Sequence, residues 1–339
     1  MQLAPHALYM PSDLGHQPTD FAAAYDHGKN DGFDLEGNGK DGLRPYTYVP
    51  QSDVQPYWTL AQQYTIADDM FQSNGGPSFA AHQYLIAGQT GKTFNPPGPA
   101  WGCDSATKNP PCFNYKTLGA EADAAGVTWR YYSYGTPSNA STTSIWQAYD
   151  AVRPIRYGAD WTNGDISEPE TNILGDISAG TLAQISWVTP AKANSDHPGT
   201  GADYGPDWVT SITNAVASSQ YSLNTTIIVL WDDWGGFYDH VVPPQLDAYG
   251  LGFRVPMILI GPTVKTGYVS HVQHEYGSIL NYIEQTFGLP SMGTATEARS
   301  DNLSDCFTSL LHPIRTVKTR IPNSMLMRLP QVAPDDDDR

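Results

Sequence analysis

Apolar positions along the chain switch repeatedly between a continuous or alternating pattern and a helical one, and the switches mark strands alternating with helices. Thr226-Ile227-Ile228-Val229-Leu230 is an unbroken run rich in β-branched residues, which predicts a buried strand. Thr65-Ile66-Ala67, Thr128 to Tyr134, Ile185-Ser186-Trp187-Val188 and Val255 to Ile260 predict four more. Between them the spacing becomes helical. Trp58, Leu60, Ala61 and Tyr64 suit one helix; Phe79 to Ala87 suits a second, entered through Gly75-Gly76-Pro77-Ser78. Glu121 to Ala125, Trp208 to Ser218 with Val209, Ile212, Val216 and Ala217 on one face, and Gly277 to Phe287 complete the set. Residues 1 to about 55 are rich in Gly, Asp and Pro and read as long loops with a short helix near Phe21 to Tyr25. The expected architecture is an α/β/α sandwich of three layers around a largely parallel central sheet. One domain spans 1–327, with a loop-rich insertion at about 135–180, followed by an acidic disordered tail at 328–339.

In such sheets chemistry gathers at the carboxyl ends of strands, and three polar segments fall there. Trp231-Asp232-Asp233-Trp234-Gly235-Gly236-Phe237-Tyr238-Asp239-His240 directly follows the buried run. Adjacent Asp232 and Asp233 carboxylates repel at low dielectric unless a cation lies between them, so a divalent metal is the economical explanation; an acidic turn between strands is the plain one. Ser78 falls at a helix start, where free N–H groups and the helix dipole favour a phosphoryl oxygen, although serine is also a common helix cap. His82, four residues on, shares its face as a substrate-binding group or sits in the core as a hydrogen-bonded histidine. His197, in a polar loop after a strand, suits protonation of a leaving alkoxide or is simply solvated. His240 reads as a group orienting others around substrate or as a strand cap. His16 has only its long loop to recommend it.

Together these parts suggest metal-assisted phosphoryl transfer: one divalent ion on Asp232, Asp233 and Ser78, attack by Ser78, and water hydrolysing a phosphoseryl intermediate. Such an ion needs further ligands from elsewhere.

Charge and cysteines narrow the partners. The net charge of -17, from 35 acidic and 18 basic residues, argues against nucleic acid or an anionic membrane as a constitutive partner. No apolar run approaches the ~18 residues of a transmembrane segment. Twenty Tyr and nine Trp supply pocket walls, for an enzyme or for an aromatic-rich sugar binder. Among three cysteines, Cys103 and Cys112 flank a loop that a disulfide can close, which fits an extracytoplasmic home. Met1 to His6 has neither the basic start nor the apolar middle of a signal peptide.

Five segments in order resemble a bacterial phosphoesterase family that includes phospholipases C and an acid phosphatase: Gly28-Lys29-Asn30-Asp31-Gly32-Phe33, Gly76-Pro77-Ser78-Phe79, Ser195-Asp196-His197-Pro198, Trp231 to Val241, and Gly277 to Glu284. The resemblance implies an alkaline-phosphatase-like fold, a metal-dependent nucleophile at Ser78, metal ligation by Asp232 and Asp233, a substrate-facing His197, and an active-site histidine near His16. It also implies a first strand followed by a Glu-Asn-Arg motif that completes the metal site. No such motif lies between Met1 and His16, so the chain is expected to be an N-terminally truncated form lacking one strand, with weak metal binding and poor turnover. The expected substrate is a phosphate ester, with a phospholipid among the candidates, and the full-length form is expected to be secreted or periplasmic. The rival reading is a catalytically impaired protein that keeps the fold and binds phosphate or sugar.

Overall fold

The apolar runs become strands, and the helical stretches pack over them. The computed structural model describes residues 2–91, 102–104, 112–134, 145–199 and 203–329. In chain order the strands are β1 (Ala4–Pro5), β2 (Thr47–Tyr48), β3 (Thr65–Ala67), β4 (Trp129–Tyr132), β5 (Ile166–Ser167), β6 (Ile185–Val188), β7 (Ile227–Leu230), β8 (Met257–Ile260) and β9 (Tyr268–Ser270). Four of them form a sheet in the order β7-β8-β3-β9, three form a parallel sheet in the order β5-β4-β6, and β1 pairs with β2.

Strand β8 reads Met257-Ile258-Leu259-Ile260 and is at most 2% exposed at each residue. Burying each such side chain is worth roughly 1.5–3 kcal/mol, which is why this strand takes a central place rather than an edge. It runs antiparallel to both neighbours, pairing Leu259 with Ile228 and with Thr65. The chain passes from β7 to β8 through residues 231–256 without a helical crossover and therefore returns in the opposite direction. The α/β fold stands, but the described strands divide into separate sheets, one of them mixed, where a single largely parallel sheet was expected. With β8 reversed between them, β3 and β7 point the same way, so the segments after them emerge at one sheet edge.

The helices before the insertion are α1 (Pro18–Tyr25), α2 (Gln55–Gln63), α3 (Ser78–Ala87) and α4 (Leu118–Ala125). In α3 every residue but Leu85 is buried, consistent with Ser-Phe-Ala-Ala-His-Gln-Tyr-Leu-Ile-Ala having no polar face. Its end is set by Gly88, which takes the left-handed conformation and donates its N–H to the Tyr84 carbonyl.

Residues 135–144 of the expected insertion lie outside the described residues, as does the acidic tail beyond Leu329. The rest of the insertion is more ordered than its Pro and Gly content suggested: α5 (Arg153–Arg156), α6 (Asp160–Asn163), β5 and α7 (Asn172–Ala179). Each is too short to show a period in sequence, and they are held by buried Trp146, Tyr149 and Trp161 rather than by their own propensity.

Beyond it come α8 (Gly205–Ala217), α9 (Tyr276–Phe287), α10 (Ala295–Arg299) and α11 (Asn323–Leu326). A capping box of Glu275 and Ser278 starts α9, which buries Tyr276, Ile279 and Leu280. Cys103 and Cys112, which the sequence allowed to pair, are joined by a disulfide. Among the described residues no helix is long and apolar enough to cross a membrane.

Candidate active site

Ser78 is the first residue of α3, delivered there from β3, and Asp232 and Asp233 come directly after β7. The two ends meet. Ser78 Oγ donates to Asp233 Oδ2 at 3.2 Å, and the Gly235 N–H donates to Asp233 Oδ1 at 2.7 Å. His82 Nε2 lies 3.2 Å from Asp232 Oδ2, one helical turn beyond the serine, as the i,i+4 spacing requires. Its Nδ1 lies 3.0 Å from the Trp146 carbonyl and 3.4 Å from the Tyr131 hydroxyl, so both ring nitrogens are engaged.

His16 reaches the Asp233 carboxylate from the N-terminal loop. Its Nε2 lies 3.9 Å from Asp233 Oδ2, while Nδ1 lies 2.8 Å from the Leu14 carbonyl. That approach depends on Gly236, whose φ is +76°. A Cβ there would fall 2.4 Å from Leu14 Cβ and 3.0 Å from the Gly15 carbonyl oxygen. The paired glycines therefore serve close packing of the 13–16 loop as well as the turn. Trp234 meets the His16 ring edge-on at 6.1 Å and joins an aromatic cluster with Phe21, Phe33 and Phe253.

Among the predicted site residues, Ser78, Asp232, Asp233, His82 and His16 come together. His197 joins indirectly: Asp13 Oδ2 lies 3.6 Å from His16 Nδ1 and 3.8 Å from His197 Nε2, so one carboxylate bridges the two histidines. His197 also packs against Trp146, with ring centroids 5.3 Å apart. His240 is not brought in. Its side chain is 76% exposed beside Asp239, whose carboxylate is taken by a two-pronged pair with Arg254 at 2.6 and 2.8 Å.

Asp13 carries little in sequence to mark it, its one signal being the Asp13-x-x-His16 spacing. Tyr276, whose hydroxyl donates to the Asp232 carbonyl, and Tyr131, whose hydroxyl donates to the Trp146 carbonyl at 2.8 Å, carry no local signal.

The electrostatics sort the acids by role. Desolvation opposes the charge of Asp232, but the hydrogen bond and charge of His82 and the hydrogen bond of Ser78 outweigh it and hold that carboxyl well below the usual range. Asp232 stays an anion. Asp196, next to His197, goes the other way: burial pushes it up to about 6 despite hydrogen bonds from Tyr57 and Trp231. Glu36, which accepts from Trp234 Nε1 at 3.3 Å, is pushed up to about 9 by burial, with the charges of Asp20 and Asp41 adding to it.

The donor set of two adjacent carboxylates and a hydroxyl is all oxygen and anionic, the chemistry of a hard divalent cation. Ser78 Oγ bonds to Asp233 and interacts with the Asp232 carboxylate, so the hydroxyl lies beside both acids.

A profile of the Phosphoesterase family matches residues 3–290. The chain is 25% identical over 325 residues to a non-hemolytic phospholipase C of Burkholderia pseudomallei, covering 81% of this chain and 45% of that protein. It is 25% identical over 320 residues to phospholipase C A of Mycobacterium tuberculosis, covering 82% and 60%. A crystal structure of a protein in the alkaline phosphatase superfamily from Vibrio parahaemolyticus aligns over 88% of this chain and 71% of that one, at 11% identity and a TM-score of 0.47. The chain spans about half the length of the curated relatives it matches. With a match that runs through the Asp13 loop, the start of α3 and the Asp232 turn, the chain belongs to the Phosphoesterase family.

Proposed function

We propose that this chain carries the active site of a metal-dependent phosphoric-ester hydrolase in which Ser78 is the nucleophile. One observation carries the reading: Ser78 Oγ stands at the start of a buried helix, 3.2 Å from Asp233 Oδ2, beside a second carboxylate held anionic. A divalent ion bound there would polarise a phosphoryl oxygen and lower the pKa of the Ser78 hydroxyl.

The chain's own groups supply the rest. Asp233 Oδ2 takes the Ser78 hydroxyl proton as the oxygen attacks phosphorus and the bond to the departing alkoxide breaks, and it returns that proton to Ser78 Oγ when the phosphoseryl bond is cleaved. First-turn N–H groups of α3 face the phosphoryl oxygens. His16 Nε2, 3.9 Å from Asp233 Oδ2, binds one of those oxygens. His197 Nε2 gives its proton to the alkoxide and later takes one from the water that releases the phosphoryl product, with any second esterified group still attached, from Ser78. Asp13 orients both imidazoles and His82 holds Asp232 in place. His240 is assigned no part, being turned to solvent.

The relatives' name, phospholipase C, favours a phosphodiester with a lipid alcohol as leaving group over a phosphate monoester. The disulfide fits an oxidising compartment, outside the cytoplasm. Turnover of p-nitrophenyl phosphorylcholine, p-nitrophenyl phosphate and a phosphatidylcholine emulsion by the full gene product tests the assignment. Diester cleavage that a chelator abolishes and a divalent ion restores is the expected result. Preference for the monoester would make it a phosphatase. Binding of phosphate without turnover of any of the three would make it a binding protein.

A further inference from the structure

A second constellation of metal-ligating side chains lies outside this site, where β9 gives way to α9. A His274 ring nitrogen, an Asp305 carboxylate oxygen and Cys306 Sγ lie within 4.8 Å of one another. Asp305 Oδ1 is 3.7 Å from His274 Nε2 and 3.6 Å from Cys306 Sγ. The His274 side chain is wholly buried and Cys306 is buried too, while Asp305 keeps 23% of its side chain accessible. On the far side of the ring, Asp301 Oδ1 lies 2.9 Å from His274 Nδ1. A carboxylate behind a histidine fixes which nitrogen carries the proton and leaves the other free to ligate. Ser270 Oγ, 2.9 Å from Nε2 and 2.5 Å from Asp305 Oδ2, occupies the remaining corner. Among the three donors, Asp305 is the one in contact with solvent, so an ion would enter on its side.

We propose that His274, Asp305 and Cys306 form a second metal site, for a borderline-soft divalent ion of the zinc class, with a water or the Ser270 hydroxyl as fourth ligand. One imidazole nitrogen, one carboxylate oxygen and one sulfur suit zinc rather than magnesium or calcium, which take all-oxygen shells. Binding exchanges the Cys306 thiol proton for the ion and releases that proton to solvent. The role is structural. The ion ties the end of β9 and the start of α9 to the 301–306 turn. Two residues after His274, Tyr276 donates to the Asp232 carbonyl, so this clasp steadies the active-site loop from behind.

The chemistry supplies its own reporter. Of three cysteines two are joined, leaving Cys306 as the one thiol. A thiolate bound to a metal gives an ultraviolet charge-transfer band that the free thiol lacks, so that band reports ligation by Cys306. The metal-stripped protein, kept free of added thiols, is titrated with Co²⁺ and with Cd²⁺ while thiolate-to-metal charge-transfer absorption is followed in the ultraviolet. One equivalent should bring up the band. Cys306→Ser should abolish it, Asp305→Asn should weaken affinity at least about tenfold, and Asp232→Asn, which leaves this cluster intact, should retain it. Absence of the band at saturating metal in the unaltered protein would overturn the proposal, whether or not the variants fold. So would a full band in His274→Gln. Neither outcome bears on hydrolysis at Ser78.

Discussion

Two His–Asp clusters in this molecule use similar residues for opposite ends. At Ser78 the groups are oxygen-rich and reached from a sheet edge, and Asp232 keeps 34% of its side chain accessible. At His274 the imidazole is fully enclosed, the third donor is sulfur, and the surrounding carboxylates lock the ring. An accessible anion beside the proposed nucleophile suits exchange of substrate and product, whereas a closed mixed-donor set suits an ion that stays. The difference teaches that residue type alone does not mark a reactive centre. Its place does, at the exit of a buried strand and open to solvent.

The largest effect separates the clusters outright. Ser78→Ala should lower kcat by roughly three orders of magnitude or more, with an unchanged melting temperature, as loss of a nucleophile does. Cys306→Ser should do the reverse, losing the thermal stabilisation given by zinc while the folded fraction keeps its turnover. Steady-state kinetics and thermal melts with and without metal read both. Equal effects of the two substitutions on kcat would erase the distinction.

Next in size is the carboxylate bridging the histidines. Asp13→Asn should reduce kcat roughly 10- to 100-fold, with a smaller change in KM, because it misorients two imidazoles without removing either. A change confined to KM would place Asp13 in substrate binding instead.

Gly236→Ala tests the packing beneath the site. The added Cβ meets Leu14 on a backbone of φ +76°, and the expected cost is about 1–3 kcal/mol in a denaturant melt, with turnover falling as the 13–16 loop moves away. Unaltered stability would mean that the loop does not rest on the Asp232 turn.

The smallest effect is a pH slope. Glu36 is fully buried, its Oε2 has no hydrogen-bond partner among the described residues, and it holds its proton up to about pH 9. In the unfolded chain a glutamate loses that proton near a pKa of about 4.3. Between those values the unfolded state binds fewer protons, so Glu36 makes folding less favourable as pH rises. Glu36→Gln should flatten the fall in stability between pH 5 and pH 8, gaining most at the higher pH. Urea midpoints at the two pH values decide it, and an unchanged slope would mean that Glu36 is ionised in the fold.

Much of the site is legible in the sequence, and the reasons are local. Ser78 and the Asp232-Asp233 pair stand where a strand pattern breaks into glycines, and such punctuation survives in one dimension. The direction of β8 is not legible, because Met257-Ile258-Leu259-Ile260 reads the same whichever way it runs. His240 shares a motif with Asp239 in sequence, yet Arg254, fifteen residues on from that aspartate, claims it and leaves the imidazole in solvent. Asp13 joins His16 to His197 across most of the chain, and the His274 cluster gathers donors from separate turns. Beyond the Asp13-x-x-His16 step and the adjacent Asp305-Cys306 pair, no short spacing rule links their members.

The most direct test of the catalytic claim is mass spectrometry of the full gene product, acid-quenched during turnover of a p-nitrophenyl phosphate ester with its divalent ion present. A phosphoryl group should be found on the peptide carrying Ser78 and be absent from Ser78→Ala, which should also be inactive. Undiminished turnover in Ser78→Ala, or a phosphoryl group on another residue, would contradict the account.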